Sequence, residues 1–182
     1  AETFGFVVLS AVTSSIVARL LQGDEMVVRV ADNLTFASMS DIWWVALLGL
    51  VAGLCGLGFS KILYASEDAI DWVWAHTRLP EWARPGVLGL LLGAGLVAFP
   101  YMYGSGYPLE EEAIAGNYSI GFLLALMVGR ALYTSFTIGM GGSGGVFAPT
   151  LFIGAMAGAA FGDALSPVTN SPVGVFAVVG MG

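Results

Sequence analysis

Five predominantly apolar runs, at 4–21, 42–63, 85–103, 120–138 and 146–165, dominate the chain. Each approaches the length of about 20 residues that carries a helix across the hydrocarbon core of a bilayer. Composition says the same: 57% of the 182 residues are hydrophobic, 10% are charged and the mean hydropathy is +0.85. A folded body of this size cannot hide so much apolar side chain from water, so part of it faces lipid. These observations predict an all-α integral membrane protein that crosses the bilayer several times. They exclude a disordered chain and weigh against a soluble enzyme. Six basic against 13 acidic residues give a net charge of -7, which lacks the basic footprint of a nucleic-acid binder. The one cysteine, Cys55, lies inside an apolar run and has no intramolecular disulfide partner.

The punctuation between the runs is equally informative. Arg19 and the polar stretch Gln22-Gly23-Asp24-Glu25 close the first run, and a polar loop extends to Ser40. Asp41 is placed to cap the second helix. That helix continues through the alternation of acids and aromatics from Ser66 to Trp74, so it either outlasts the bilayer or is steeply tilted. Trp72, Trp74 and Trp82, around the break at Pro80, suit an interface belt. Pro85 begins the third run, Gly104-Ser105-Gly106-Tyr107-Pro108 forms a turn, and 109–115 allows two helical turns, too few to span. Pro167 and Pro172 reset the chain before the apolar run 173–179. Basic residues do not orient the protein: Arg19 and Arg29 flank one loop, Arg78 and Arg84 the next, and Lys61 leans only slightly toward the second. Small residues four apart, Gly49/Gly53, Gly89/Gly93 and Gly154/Gly158/Gly162, predict close helix packing in lipid. The chain starts at Ala1 without a methionine or a basic segment and ends at Gly182 inside an apolar stretch, which reads as part of a longer membrane protein.

The richest stretch is Gly139-Met140-Gly141-Gly142-Ser143-Gly144-Gly145-Val146-Phe147-Ala148-Pro149. Its glycines interrupt an otherwise continuous apolar segment, 120–165, and so break a helix at membrane depth. Backbone without helical hydrogen bonds is tolerated there only inside protein or along a water-filled cavity. A helix restarting at Val146, with Pro149 in its first turn, leaves the amides of Gly145 to Ala148 without intrahelical acceptors. Free N–H groups and the positive end of the helix dipole together make an anion site. Because no full positive charge is involved, binding stays weak enough for release. Ser143 can add a hydroxyl donor or simply stabilise the turn.

In these residues the chain resembles the CLC family of chloride channels and chloride/proton antiporters. Gly144-Gly145-Val146-Phe147-Ala148-Pro149 is similar to that family's GxFxP signature; Met127-Val128-Gly129-Arg130, Leu151-Phe152-Ile153-Gly154-Ala155 and Gly104-Ser105-Gly106-Tyr107 resemble its flanks in order and spacing. The resemblance implies an inverted-repeat helical fold with broken, tilted helices, of which residues 1–182 are part of a single transmembrane domain with no soluble domain. It implies chloride transport in a multi-pass protein of the cell membrane, working as a homodimer in the lipid bilayer. Chloride is then the substrate, no cofactor or metal is needed, and the protein is not an enzyme. The chloride ligands carry over to the backbone amides of Val146 and Phe147, with Gly144, Gly145 and Pro149 shaping the site. The family's other anion-site pieces, a serine loop, a loop with the gating glutamate and a tyrosine near the end of the membrane domain, have no counterpart in residues 1–182.

Other patterns carry less. Gly139 to Gly144 satisfies G-x-G-x-x-G, but a membrane span precedes it where a dinucleotide site needs a strand. Asn117-Tyr118-Ser119 is a chance sequon, His76 is an interfacial residue without a second metal ligand, and Glu110, Glu111 and Glu112 read as a solvated face at a membrane edge. Two alternatives to anion transport remain at this point. One is a membrane scaffold, or an intramembrane enzyme using the broken helix as an oxyanion site; the other is a cation transporter working through Glu110 to Glu112.

Overall fold

The structure, a computed structural model, describes residues 2–22, 34, 41–77 and 80–182. The loop holding Asp24, Glu25 and Arg29, and Arg78 farther on, lie outside the described residues. Among the described residues seven α-helices follow one another: α1 Glu2–Gln22, α2 Ile42–His76, α3 Arg84–Ala98, α4 Tyr107–Ile114, α5 Ile120–Gly139, α6 Phe147–Leu165 and α7 Val173–Met181. No strand occurs among the described residues.

Among the described residues three helices, α2, α5 and α6, are long and apolar enough to cross a membrane. At 35 residues α2 runs unbroken into its acidic and aromatic end. With a rise of 1.5 Å per residue it measures roughly 50 Å, well beyond a hydrocarbon core of about 30 Å. The third apolar run stops short of its expected extent. α3 ends at Ala98 because Phe99 precedes Pro100, which disfavours helical geometry at Phe99; Pro100–Met102 is a single 3-10 turn. Its 15 residues are too few to span alone.

The interior forms around α6. Of its most apolar stretch 56% is buried, against 11% for α2. Phe152, Met156, Ala159 and Ala160 of α6 pack with Leu123 and Leu126 of α5, Ala113 and Ile114 of α4, and Ala177 of α7. A smaller cluster joins Phe59 of α2, Ala131 of α5 and Ile153 of α6. Gly154, Gly158 and Gly162 allow α7 to lie directly on α6: a Cβ on Gly158 would sit on the carbonyl of Phe176, and one on Gly154 on that of Gly180. The packing expectation fails inside this chain for the other pairs, since nothing lies within 4 Å of a Cβ built at Gly49, Gly53, Gly89 or Gly93.

Three further expectations are corrected. Asp41 occupies the N-cap position of α2 but makes no side-chain cap; its buried carboxylate accepts the Ser171 hydroxyl at 2.5 Å, tying the start of α2 to the approach to α7. Trp74 is not in an interface belt. It is 5% exposed, packed in the space between α2, α3 and α5, while Trp72 and Trp82 are largely exposed. The acidic cluster divides, because one face of the short α4 is pressed onto α6 and α7: Glu110 is buried, Glu111 half-buried and Glu112 exposed, accepting from Asn117 at 2.5 Å.

The α6–α7 contact gives a direct test. In the full-length protein, Gly158→Ala should lower thermal stability in detergent by about 1–3 kcal/mol, the usual cost of overpacking against neighbours that cannot yield. Gly93→Ala should leave the melting curve unchanged. Equal effects would mean that α6 and α7 do not meet backbone to backbone.

Candidate functional site

The break between α5 and α6 is built by two different helix-end devices. At the end of α5 the amide of Gly141 donates to Ile138 (2.9 Å) and that of Gly142 to Thr137 (3.0 Å). With Gly141 at φ 91°, this is a Schellman motif, which uses up the last carbonyls of the helix. At the start of α6 the orphan groups are donors, and they stay open. Val146 is the N-cap residue, one position earlier than the first helical residue Phe147, and the first intrahelical bond runs from the Thr150 amide to the Val146 carbonyl at 3.0 Å. Among the described residues, the amides of Gly145, Val146, Phe147 and Ala148 reach no acceptor. Pro149 contributes no N–H. No acidic residue stands in the first turn to consume the donors or oppose the dipole.

The glycines of the break serve separate purposes. Gly141 alone needs a left-handed backbone. Gly139 makes room for Ile70 and the backbone of Glu67, and Gly142 for the Thr137 carbonyl. Gly144 and Gly145 face open space. Together with Pro149 they line a cavity of about 210 Å³, closed on its other sides by Leu92 and Leu96 of α3, Met102 and Gly104 of the following turn, and Arg130, Thr134 and Thr137 of α5. Phe147, 75% exposed, lines a second cavity of about 350 Å³ between α2, α6 and α7. The start of α6 thus stands between two cavities. Gly144, Gly145 and Pro149 share one of them, whereas the Val146 and Phe147 side chains lie outside it.

Two arginines hold the surroundings in place. Arg84, at the head of α3, donates to the carbonyl of Gly139, the last residue of α5, and pairs with Asp71 of α2 at 2.5 Å. Arg130, midway along α5 and buried, donates to the carbonyls of Met102 (3.0 Å), Gly104 (2.7 Å) and Ser105 (2.9 Å). Its guanidinium carbon lies 5.3 Å from the centroid of the fully buried Phe152 ring. Glu110, 1% exposed, is the neighbouring counter-charge: burial pushes its carboxyl up to about 6, with Arg130 pulling the other way. Neither arginine nor Glu110 was singled out for the site by sequence reasoning. A lone arginine inside the apolar run 120–138 was the available signal, because a charge within a span is costly and marks function. His76 donates from Nδ1 to the Trp72 carbonyl at 2.7 Å, and no group of three metal-ligating side chains occurs among the described residues.

Long apolar helices, one of them broken beside a cavity, define an integral multi-pass membrane protein with a discontinuous-helix site. The profile of the voltage gated chloride channel family matches residues 1–182, and the chain belongs to that family. It is 34% identical over 179 residues to the H(+)/Cl(-) exchange transporter ClcA of Vibrio parahaemolyticus and, at the same identity and length, to that of Vibrio campbellii. It is 33% identical over 183 residues to the protein of the same name from Yersinia pestis. These alignments cover 97% of this chain but only 37–38% of each relative, so the chain spans less than two fifths of their length.

The two roles of the glycines can be separated. Gly141→Ala puts a side chain at a left-handed backbone position and should cost about 1–2 kcal/mol in thermal unfolding of the full-length protein. Gly145→Ala, with an ordinary φ and open space around it, should stay within about 0.5 kcal/mol of wild type. The reverse order would show that the α5 end is not closed as described.

Proposed function

We propose that this chain supplies one wall of the anion path in a chloride transporter. Chloride is held by the backbone amides of Val146 and Phe147 at the start of α6, in a pocket shaped by Gly144, Gly145 and Pro149. The observation that carries the reading is the row of four consecutive amides without acceptors at the head of a 19-residue helix. The ligands proposed to touch the ion are dipolar donors rather than a charged side chain, so the ion is bound and still able to leave. The names of the relatives, exchangers of protons and chloride, supply the substrate. In this reading chloride is cargo, no cofactor takes part, the protein is a transporter rather than an enzyme, and two copies pair in the membrane. An enzyme using the break as an oxyanion site would need a nucleophile and a base beside it, and among the described residues the 210 Å³ cavity has the hydroxyls of Tyr133, Thr134 and Thr137 in its lining but no carboxylate or histidine to act as the base.

Crystals of the full-length protein soaked in bromide should show anomalous density next to the Val146 and Phe147 amides, and the same protein in liposomes should pass chloride in preference to sodium or potassium. Bromide confined to the protein surface, or cation flux equal to chloride flux, would sink the reading.

A further inference from the structure

A cation buried halfway along a membrane helix is expensive, and its partners reveal its use. Arg130 is 7% exposed, and both of its terminal nitrogens point to main-chain carbonyls of the turn between α3 and α4. That turn is set by Gly104 at φ 73° and Gly106 at φ 90°. Gly106 lies so close to Phe152 of α6 that a Cβ there would approach its ring to 2.6 Å. Turn, guanidinium and Phe152 are therefore packed together. Met102 and Gly104, whose carbonyls Arg130 occupies, line the same cavity as Gly144 and Gly145, next to the open amides of α6.

The chemistry of this arrangement is one of sign. Free carbonyl oxygens around a cavity replace the hydration shell of a cation and repel an anion. Without a donor on them, the carbonyls of Met102, Gly104 and Ser105 would set acceptors opposite the amides of α6 and weaken the anion preference of the cavity. We propose that Arg130 is a specificity-determining residue of the anion path: by engaging three carbonyls of the Met102–Ser105 turn, it leaves donor groups and positive charge as the polar character of the cavity beside α6. This rests on the anion site proposed at Val146 and Phe147. Arg130 acts on the ion through the turn and through its charge, and the buried Glu110 is near enough to feel that charge.

The test uses the full-length protein. Because Arg130→Met alone leaves the buried Glu110 without the positive charge near it, the main variant is Glu110→Gln with Arg130→Met, which removes both charges. Chloride binding by titration calorimetry should weaken about tenfold or more, in line with loss of a charged hydrogen-bonding group, and the chloride-to-potassium flux ratio in liposomes should fall. A lowered melting temperature with wild-type affinity and flux ratio would make Arg130 purely structural and overturn the proposal. If the double variant does not fold, Arg130→Lys decides. Lysine keeps the charge but lacks the planar fork, so it should bind chloride severalfold more weakly and pass more potassium than wild type. Wild-type values in that variant overturn the inference as well. The anion site itself is checked separately: bromide absent from the Val146 and Phe147 amides in the unmodified protein sinks both readings, whereas bromide present there with unaltered variants sinks only this one.

Discussion

A lipid interior offers backbone groups no water to bond to, and the region from Gly139 to Thr150 depends on how that constraint is met. At the end of α5 the Schellman closure around Gly141 leaves the carbonyls paired, and Arg84 takes the one on Gly139. At the start of α6 the amides are left open and the neighbouring residues line cavities. A broken helix is thus closed on its acceptor side and open on its donor side. That asymmetry, more than any side chain in the break, gives it the polarity of an anion site.

Precision in such a site comes from what surrounds it. α6 is the most buried of the spanning helices, gripped along one side by α7 through Gly154, Gly158 and Gly162 and along another by α5. Phe152, five residues into α6, touches the same Arg130 that gathers the carbonyls of the preceding turn. The head of α6, the Gly104–Gly106 turn and the middle of α5 are therefore mechanically one unit. α2, by contrast, turns most of its surface away from the rest of this chain.

Membership of the voltage gated chloride channel family fits this division. The stretch that resembles the family's GxFxP signature coincides with the helix break, where backbone geometry rather than side-chain chemistry is at stake. Glycine is needed at Gly141 for its φ and at Gly139 and Gly142 for close approach, while Gly144 and Gly145 leave the cavity beside them open. A glycine-rich string in sequence looks uniform, yet three distinct physical demands lie behind it.

The sequence by itself determined the helical membrane class, the unbroken run of α2, the short α4 and the break before Phe147, because apolar length, proline and glycine act locally along the chain. It also placed the open amides, which follow from any helix start that lacks a capping acid. The end of α3 at Ala98 is local as well, since Phe99 stands before Pro100, although the apolar content of 85–103 conceals it. The sequence could not divide the acids at Glu110 to Glu112, or send Asp41 to Ser171 and Trp74 into the interior. Those outcomes, and the convergence of Arg130 with Met102, Gly104 and Ser105 from 25 to 28 residues away, were decided by tertiary structure. The physical reason is that burial and long-range hydrogen bonding depend on which helices meet, and periodicity within one helix carries no information about its neighbour.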